Sequence, residues 1–128
     1  MKAFASAMLA ICVIGFCSAI ATAQTHPLVG KWQTKIQWTG DVDMVITSVR
    51  TDNFVEGTFT VPRFEDWNCR FSDKVDYPTK TCTGYYDGTW LTVKVPRGAT
   101  YTVQLVGKRL KGKVEASGRV QDQNWDRQ

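Results

Sequence analysis

The chain has a single histidine, His26, and that scarcity removes most nucleophilic chemistry. A Ser or Cys nucleophile needs a base held beside it and an acid that orients the base. His26 stands ahead of the first strand-like segment and reads as a solvated residue of the lead-in. Cysteine is scarce too. Of the four present, Cys12 and Cys17 fall in an N-terminal apolar run, which leaves Cys69 and Cys82. Two cysteines and one remote histidine cannot complete the four ligands of a structural zinc site. The sequence has no Gly-rich phosphate loop, no calcium-loop pattern, no internal repeat and no helical period of useful length. No metal, no cofactor and no enzymatic activity is therefore expected. Glu65 and Asp66, adjacent carboxylates in a polar loop, supply the one catalytic alternative, a hydrolase, because paired carboxylates can act as acid and base where their surroundings differ. Neighbours in sequence on a polar loop are more often simply solvated.

Long hydrophobic runs are missing except at the start. Lys2 precedes an apolar run from Met8 to Ile20, followed by Ala21, Thr22 and Ala23, which is the charged, apolar and small-residue order of a secretory signal peptide. The chain thus divides into a signal peptide at 1–23 and one domain at 24–128, enough for a single domain and too little for two. The run is short for a bilayer span of about 20 residues. No stable membrane insertion is expected after signal removal, and the expected compartment is secreted or periplasmic. An even cysteine pair in an exported domain reads as one disulfide, Cys69–Cys82. Closing a loop of this size contributes about 3 kcal/mol by restricting the unfolded chain.

What is present is alternation. From Val29 to Trp38, Gly30, Trp32, Thr34, Ile36 and Trp38 fall on one face and Lys31, Gln33, Lys35 and Gln37 on the other, the period of two of a half-buried strand. Thr39, Gly40 and Asp41 make a turn, and Val42 to Val49 gives a second strand with Met44 and Ile46 inward. Thr51, Asp52 and Asn53 turn the chain again before a third strand, Phe54 to Val61, which Pro62 ends. Cys69 to Val75 and Thr81 to Tyr86 form the weakest pattern and read as a hairpin around Asp76 to Thr79. Asp87-Gly88 is a tight hairpin turn. Beyond it, Thr89 to Val95, Thr100 to Val106 and Leu110 to Ala116 alternate cleanly. The polar tail from Gln121 to Gln128 reads as loosely held unless Trp125, its one apolar residue, plugs an end of the barrel. These eight strands with short connections predict an all-β fold, an eight-stranded antiparallel up-and-down (meander) barrel, since closure removes sheet edges. A barrel of eight is filled by side chains or holds one small ligand.

The stretch Gly30-Lys31-Trp32, then Met44-x-Ile46, then Phe54-x-x-Gly57-Thr58-Phe59-Thr60 resembles the first three strands of the avidins, eight-stranded barrels that bind biotin. Its Gly-x-Trp start is shared with the lipocalins, which carry small apolar ligands in a similar barrel. The resemblance implies a barrel with a ligand in its mouth, but the biotin contacts do not carry over. The avidin Asn two positions after the Trp corresponds to Thr34, its nearby hydroxyl falls in a region that holds Gln37 and Trp38, and its third-strand Tyr corresponds to Phe59. Lost buried partners of this kind cost about 1 to 3 kcal/mol each, so biotin is not the expected ligand.

The net charge of +4 is unevenly spread. From Lys94 to Arg119, seven basic residues (Lys94, Arg97, Lys108, Arg109, Lys111, Lys113 and Arg119) stand against one acid, Glu115. Such a region reads either as a solvated strand pair or as a contact for anionic polymers or membrane surfaces. If Lys94, Arg97, Lys108 and Arg109 share a rim, an anionic sugar or nucleic acid becomes a conceivable ligand. No basic and aromatic interleaving of the oligonucleotide-binding kind is evident, so nucleic acid is not the expected partner. Trp32 reads as a core plug. Thr34, Trp38, Trp67, Tyr85 and Trp90 are the expected ligand contacts, because large amphipathic rings at barrel mouths suit binding surfaces. The expected function is a binding module for a small apolar or aromatic ligand or for a protein partner. The alternative is an inhibitor of a secreted hydrolase, presenting Trp67 on a rigid loop.

Overall fold

The computed structural model describes residues 26–128, and the signal-peptide segment at 1–23 lies outside the described residues. The alternation at the start of the chain forms β1 (Gly30–Ile36), which buries Trp32, Thr34 and Ile36 and leaves Lys31, Gln33 and Lys35 outward or half-buried. It pairs antiparallel with β2 (Gly40–Val49), Trp32 opposite Met44 and Thr34 opposite Val42, so the apolar sets of both strands meet on one face. β3 (Val55–Thr60) continues the sheet with Phe59 opposite Met44, after an irregularity between Ile46 and Ser48. Gly57 is obligatory there. It lies opposite Ile46 at φ 144°, and a Cβ would run into the Val45 carbonyl oxygen.

Past Val61 the hairpin expected between Cys69 and Tyr86 does not form. A 3-10 turn (Glu65–Trp67) leads into β4, only Cys69–Phe71, which pairs antiparallel with β3. The chain then leaves the wall, reverses through Asp76–Thr81, where Asp76 and Thr81 exchange backbone hydrogen bonds of 3.1 and 3.0 Å, and re-enters beside β4 in the same direction. β5 (Thr81–Tyr86) is therefore parallel to β4, with Phe71 opposite Cys82. The expected disulfide is present between these neighbouring strands, Cys69 to Cys82, with Cα atoms 5.7 Å apart. Antiparallel pairing resumes through β6 (Trp90–Lys94), β7 (Thr100–Val106) and β8 (Arg109–Ala116).

The tail is not loosely held: it is β9 (Arg119–Arg127), paired with β8 from Arg119 to Asp126 and with β1 through Trp32–Arg127 and Gln33–Asp126. Ser117 (φ 52°) and Gly118 (φ 78°) join β8 to β9, the two successive positive angles of a type I′ hairpin turn. The architecture is thus a closed all-β barrel of nine strands among the described residues, with one parallel contact, and not eight purely antiparallel strands. The two departures require each other. Strand direction flips at every antiparallel contact and must return to itself around a closed barrel, so nine contacts need at least one parallel pair. The β4–β5 pair supplies it.

The interior is filled over most of its height. Trp32, Met44, Phe59, Leu91, Leu110 and Trp125 are all at most 1% exposed. Phe59, Tyr101 and Trp125 form an aromatic trio with ring centroids 5.1 to 6.2 Å apart. We call lower the end that carries the β2–β3, β5–β6 and β7–β8 turns. There Leu28 and Trp32 close the interior, the Trp32 indole donating 2.9 Å to the Leu28 carbonyl. The Arg127 guanidinium lies 4.1 Å from the Trp32 ring centre and donates to the Val29 and Pro27 carbonyls at 2.8 and 2.6 Å. His26 is part of this cap rather than a solvated lead-in. Its Nδ1 accepts from the Leu28 amide at 3.1 Å and its ring edge meets Tyr86 at 5.3 Å.

Candidate functional site

The upper end is open. It gathers the β1–β2 turn, the loop after β3, the β6–β7 turn and the β8–β9 turn around a cavity of about 400 Å³. This lies within the range of small-molecule sites, roughly 300 to 1,000 Å³. Its floor is the exposed side of the aromatic trio, Phe59 and Tyr101. Trp38 and Trp67 form walls, Val61, Val95 and Ala99 complete the apolar lining, and Arg97 and Arg119 stand at the rim. Each wall residue is placed by a chain feature. Trp38 continues the inward face of β1 past its last paired residue. Trp67 is turned in by the 3-10 turn, where the Asn68 side chain accepts from the Val61 amide at 2.7 Å and ties the loop to the end of β3. Phe64 stacks on the Trp67 ring at 4.8 Å and holds it from outside.

Electrostatically this mouth is positive. The Arg119 guanidinium sits over the Trp38 ring at 5.2 Å, and Arg97 sits over the Tyr77 ring at 4.8 Å while donating 3.1 Å to the Tyr77 hydroxyl. Among the described residues neither arginine has a carboxylate within salt-bridge distance; the ion pairs found there are Lys35–Asp41, Arg50–Asp52, Lys80–Asp66 and Arg109–Asp126. Cation–π seating fixes each guanidinium without neutralising it. At the floor, burial pushes the Tyr101 phenol well above its ordinary range. It stays a neutral O–H donor at any pH the protein meets, and no hydrogen bond within the described residues engages it.

The residues singled out from the sequence divide between the two ends. Trp38 and Trp67 share the cavity. Tyr85 and Trp90 stand at the lower end, 40% and 38% exposed, with Tyr85 packed edge-on to Phe54. Thr34 is buried in the seam between β1 and β9, its hydroxyl donating 2.7 Å to the Asn124 carbonyl, which leaves it no free proton for a ligand. Lys94, Arg97, Lys108 and Arg109 do not share a rim: Lys94 and Arg97 are at the upper end, and Lys108 and Arg109 flank the lower β7–β8 turn. Glu65 and Asp66 are exposed, Asp66 facing Lys80 at 3.8 Å. The sequence reading groups Arg97 with the wrong rim partners, Lys108 and Arg109, and misses Arg119 as its partner at the aromatic mouth. Arg97 lies in the short Pro96–Gly98 turn and Arg119 just after the Ser117-Gly118 turn, and turns closing antiparallel strands alternate ends, a signal that needed the correct strand count.

Among the described residues no cluster of three or more His, Cys, Asp or Glu could hold a metal ion, and no helix is long and apolar enough to cross a membrane. A polar cleft of about 550 Å³ runs outside the β1–β9 seam, lined by Gln33, Lys35, Asp41, Asp122 and Asp126 among others; it offers no apolar body to a ligand. Fold and geometry together define a closed β-barrel with one ligand-sized aromatic mouth. No protein-family model matches the chain, and no curated protein matches it.

Proposed function

We propose that the protein is an exported, disulfide-stapled barrel that binds a small apolar or aromatic molecule in its upper mouth. The observation that carries this reading is the cavity of about 400 Å³ walled by Trp38 and Trp67 over the Phe59–Tyr101 floor. Burying one face of an aromatic ligand against such walls contributes about 25 cal/mol per Å² of apolar surface removed from water. After the entropy of association is subtracted, a well-filled site of this size is expected to bind at about the micromolar level without any covalent chemistry. The Tyr101 hydroxyl supplies one directional contact, a donor for an oxygen or nitrogen on the inserted end. The avidin-like pattern of the first three strands and the lipocalin-like Gly-x-Trp start are in keeping with a barrel open to a ligand at one end, and they support the fold far more than the activity.

Trp67 bears on the inhibitor alternative. Its ring faces the cavity and is covered by Phe64, which favours the small-molecule reading over a loop anchor for a protein. The test is a fluorescence titration of the oxidised protein with N-phenyl-1-naphthylamine, a neutral probe that brightens in apolar sites. Binding at low micromolar Kd is expected, weakened at least about tenfold by Ala116→Phe, which fills the cavity, and unchanged by Trp90→Ala at the lower end. Absence of binding refutes the proposal. So does binding that Trp90→Ala abolishes and Ala116→Phe leaves alone.

A further inference from the structure

We infer that the ligand of the upper mouth is an organic anion, an apolar or aromatic body carrying one carboxylate, sulfonate or similar acidic group that stays at the rim between Arg97 and Arg119. This rests on the cavity being the binding site and adds the ligand's charge and orientation.

Three observations converge on it. First, the two guanidiniums flank the same opening, and the cavity is lined by both. Second, both are held over aromatic rings, Arg119 on Trp38 and Arg97 on Tyr77, rather than on carboxylates. An arginine destined for a structural ion pair is normally met by a planar carboxylate that matches its fork. Here the Arg119 fork makes no hydrogen bond within the described residues and Arg97 spends one amino group on the Tyr77 hydroxyl, which leaves donors on both for a ligand, although Asp66 and Glu65 lie in the neighbouring loop and Asp66 is engaged by Lys80 instead. Third, the polarity is graded along the cavity: the two cations stand at the rim, the turn residues Thr39 and Ser117 add neutral hydroxyls to the lining, Trp38, Trp67 and Val95 make apolar walls, and the floor holds one neutral donor, Tyr101. A neutral hydrocarbon would leave both rim charges unused. A dianion deep in the cavity would meet an apolar lining and lose its hydration without replacement. An amphiphile with one anionic group fits both ends, its body inside and its head in the half-solvated rim.

The magnitude is set by the location. The rim arginines are partly solvated, so each ion pair is screened and contributes modestly, in the range of exposed pairs rather than buried ones. Two together favour an anionic over a neutral ligand of the same body by about tenfold, with a clear dependence on ionic strength.

The test compares N-phenyl-1-naphthylamine with 8-anilinonaphthalene-1-sulfonate, which has the same ring system with one sulfonate added. The oxidised protein is expected to bind the sulfonate about tenfold more tightly at low salt, and the preference should fall toward unity as salt rises from about 0.02 M to about 0.5 M. In the Arg97→Gln/Arg119→Gln double variant the preference should disappear while affinity for the neutral probe is retained. That retained affinity also reports an intact barrel. If the double variant fails to fold, the salt dependence in the native protein and the two single variants carry the same comparison. Lys108→Gln, at the lower end, should leave the preference unchanged. Equal affinity for both probes, or a preference that survives loss of both arginines, overturns the inference while leaving cavity binding in place. Failure of both probes to bind overturns the cavity reading as well.

Discussion

Replacing Trp125 by alanine is the sharpest probe of how the barrel closes. The residue is 1% exposed, its ring lies 6.2 Å from Phe59 and 5.9 Å from Tyr101, and its indole donates 3.1 Å to the Gln123 side chain. A tryptophan side chain buries about 200 Å², which at about 25 cal/mol per Å² gives roughly 4 to 5 kcal/mol. Compaction of the unfolded chain trims this by about 10 to 40%. Measured large-to-small core substitutions fall at about 3 to 5 kcal/mol, in agreement. A second loss adds to it, because the Gln123 Nε2 already has no partner among the described residues, and the substitution would leave that buried amide with neither bond. We expect Trp125→Ala to lower unfolding free energy by about 3 to 5 kcal/mol, a large part of the roughly 5 to 15 kcal/mol that a domain possesses. Urea denaturation followed by far-UV circular dichroism measures it, since the signal does not depend on the deleted indole. Trp125→Phe keeps most of the area and should cost about 1 to 2 kcal/mol. A change within about 0.5 kcal/mol, the range of surface sites, would mean that Arg119–Arg127 does not form the closing strand and that the reasoning is wrong.

Two further outcomes follow from the lower end. Arg127→Ala removes two charge-assisted hydrogen bonds to backbone carbonyls and the cover of Trp32; it should destabilise by roughly 1 to 3 kcal/mol and expose the indole to acrylamide quenching, with Arg127→Lys restoring only part because an ammonium cannot fork to both carbonyls. Asp87 accepts from the Trp90 and Thr89 amides at 2.7 and 2.8 Å, and these bonds, Trp90 first, hold its carboxyl below the ordinary 3.8. A depressed folded-state value means the contribution is present above about pH 3.8 and is lost as pH falls through the lower folded value. Asp87→Asn should therefore flatten the acid side of the Tm-against-pH curve below that point, and an acid limb identical to wild type would contradict the assignment.

The first half of the barrel was legible because its code is binary. Trp32, Met44, Ile46 and Phe59 recur at period two between unmistakable turns, and the strands stand where that period puts them. The closing strand was illegible for the opposite reason: two of its three inward positions are Gln121 and Gln123. A glutamine can face a barrel interior when partners meet it, Gln121 accepting from the Gln37 amide and Gln123 from Trp125, but nothing local in the sequence announces those partners. Ser117-Gly118 was the available sign, a turn pair with alternation on both sides. The parallel β4–β5 pair has no local sign, because three residues show no period and the reversal at Asp76–Thr81 looks like a hairpin tip. Its consequence reaches the site. In a plain meander the turn between the fifth and sixth strands falls at the same end as Trp38, so Tyr85 and Trp90 would have joined the aromatic mouth. One parallel contact shifts every later turn to the opposite end, which removes those two residues and brings Arg97 and Arg119 to the cavity instead. The chemistry of the mouth thus depends on topology more than on any motif.

The location of a bound ligand is the most direct measurement. A crystal structure of the oxidised protein soaked with 8-anilinonaphthalene-1-sulfonate should place the ring system between Trp38 and Trp67 above Tyr101, with the sulfonate between Arg97 and Arg119. Density for the probe against Tyr85 and Trp90 at the lower end, with the upper cavity empty, would contradict the assignment of the site.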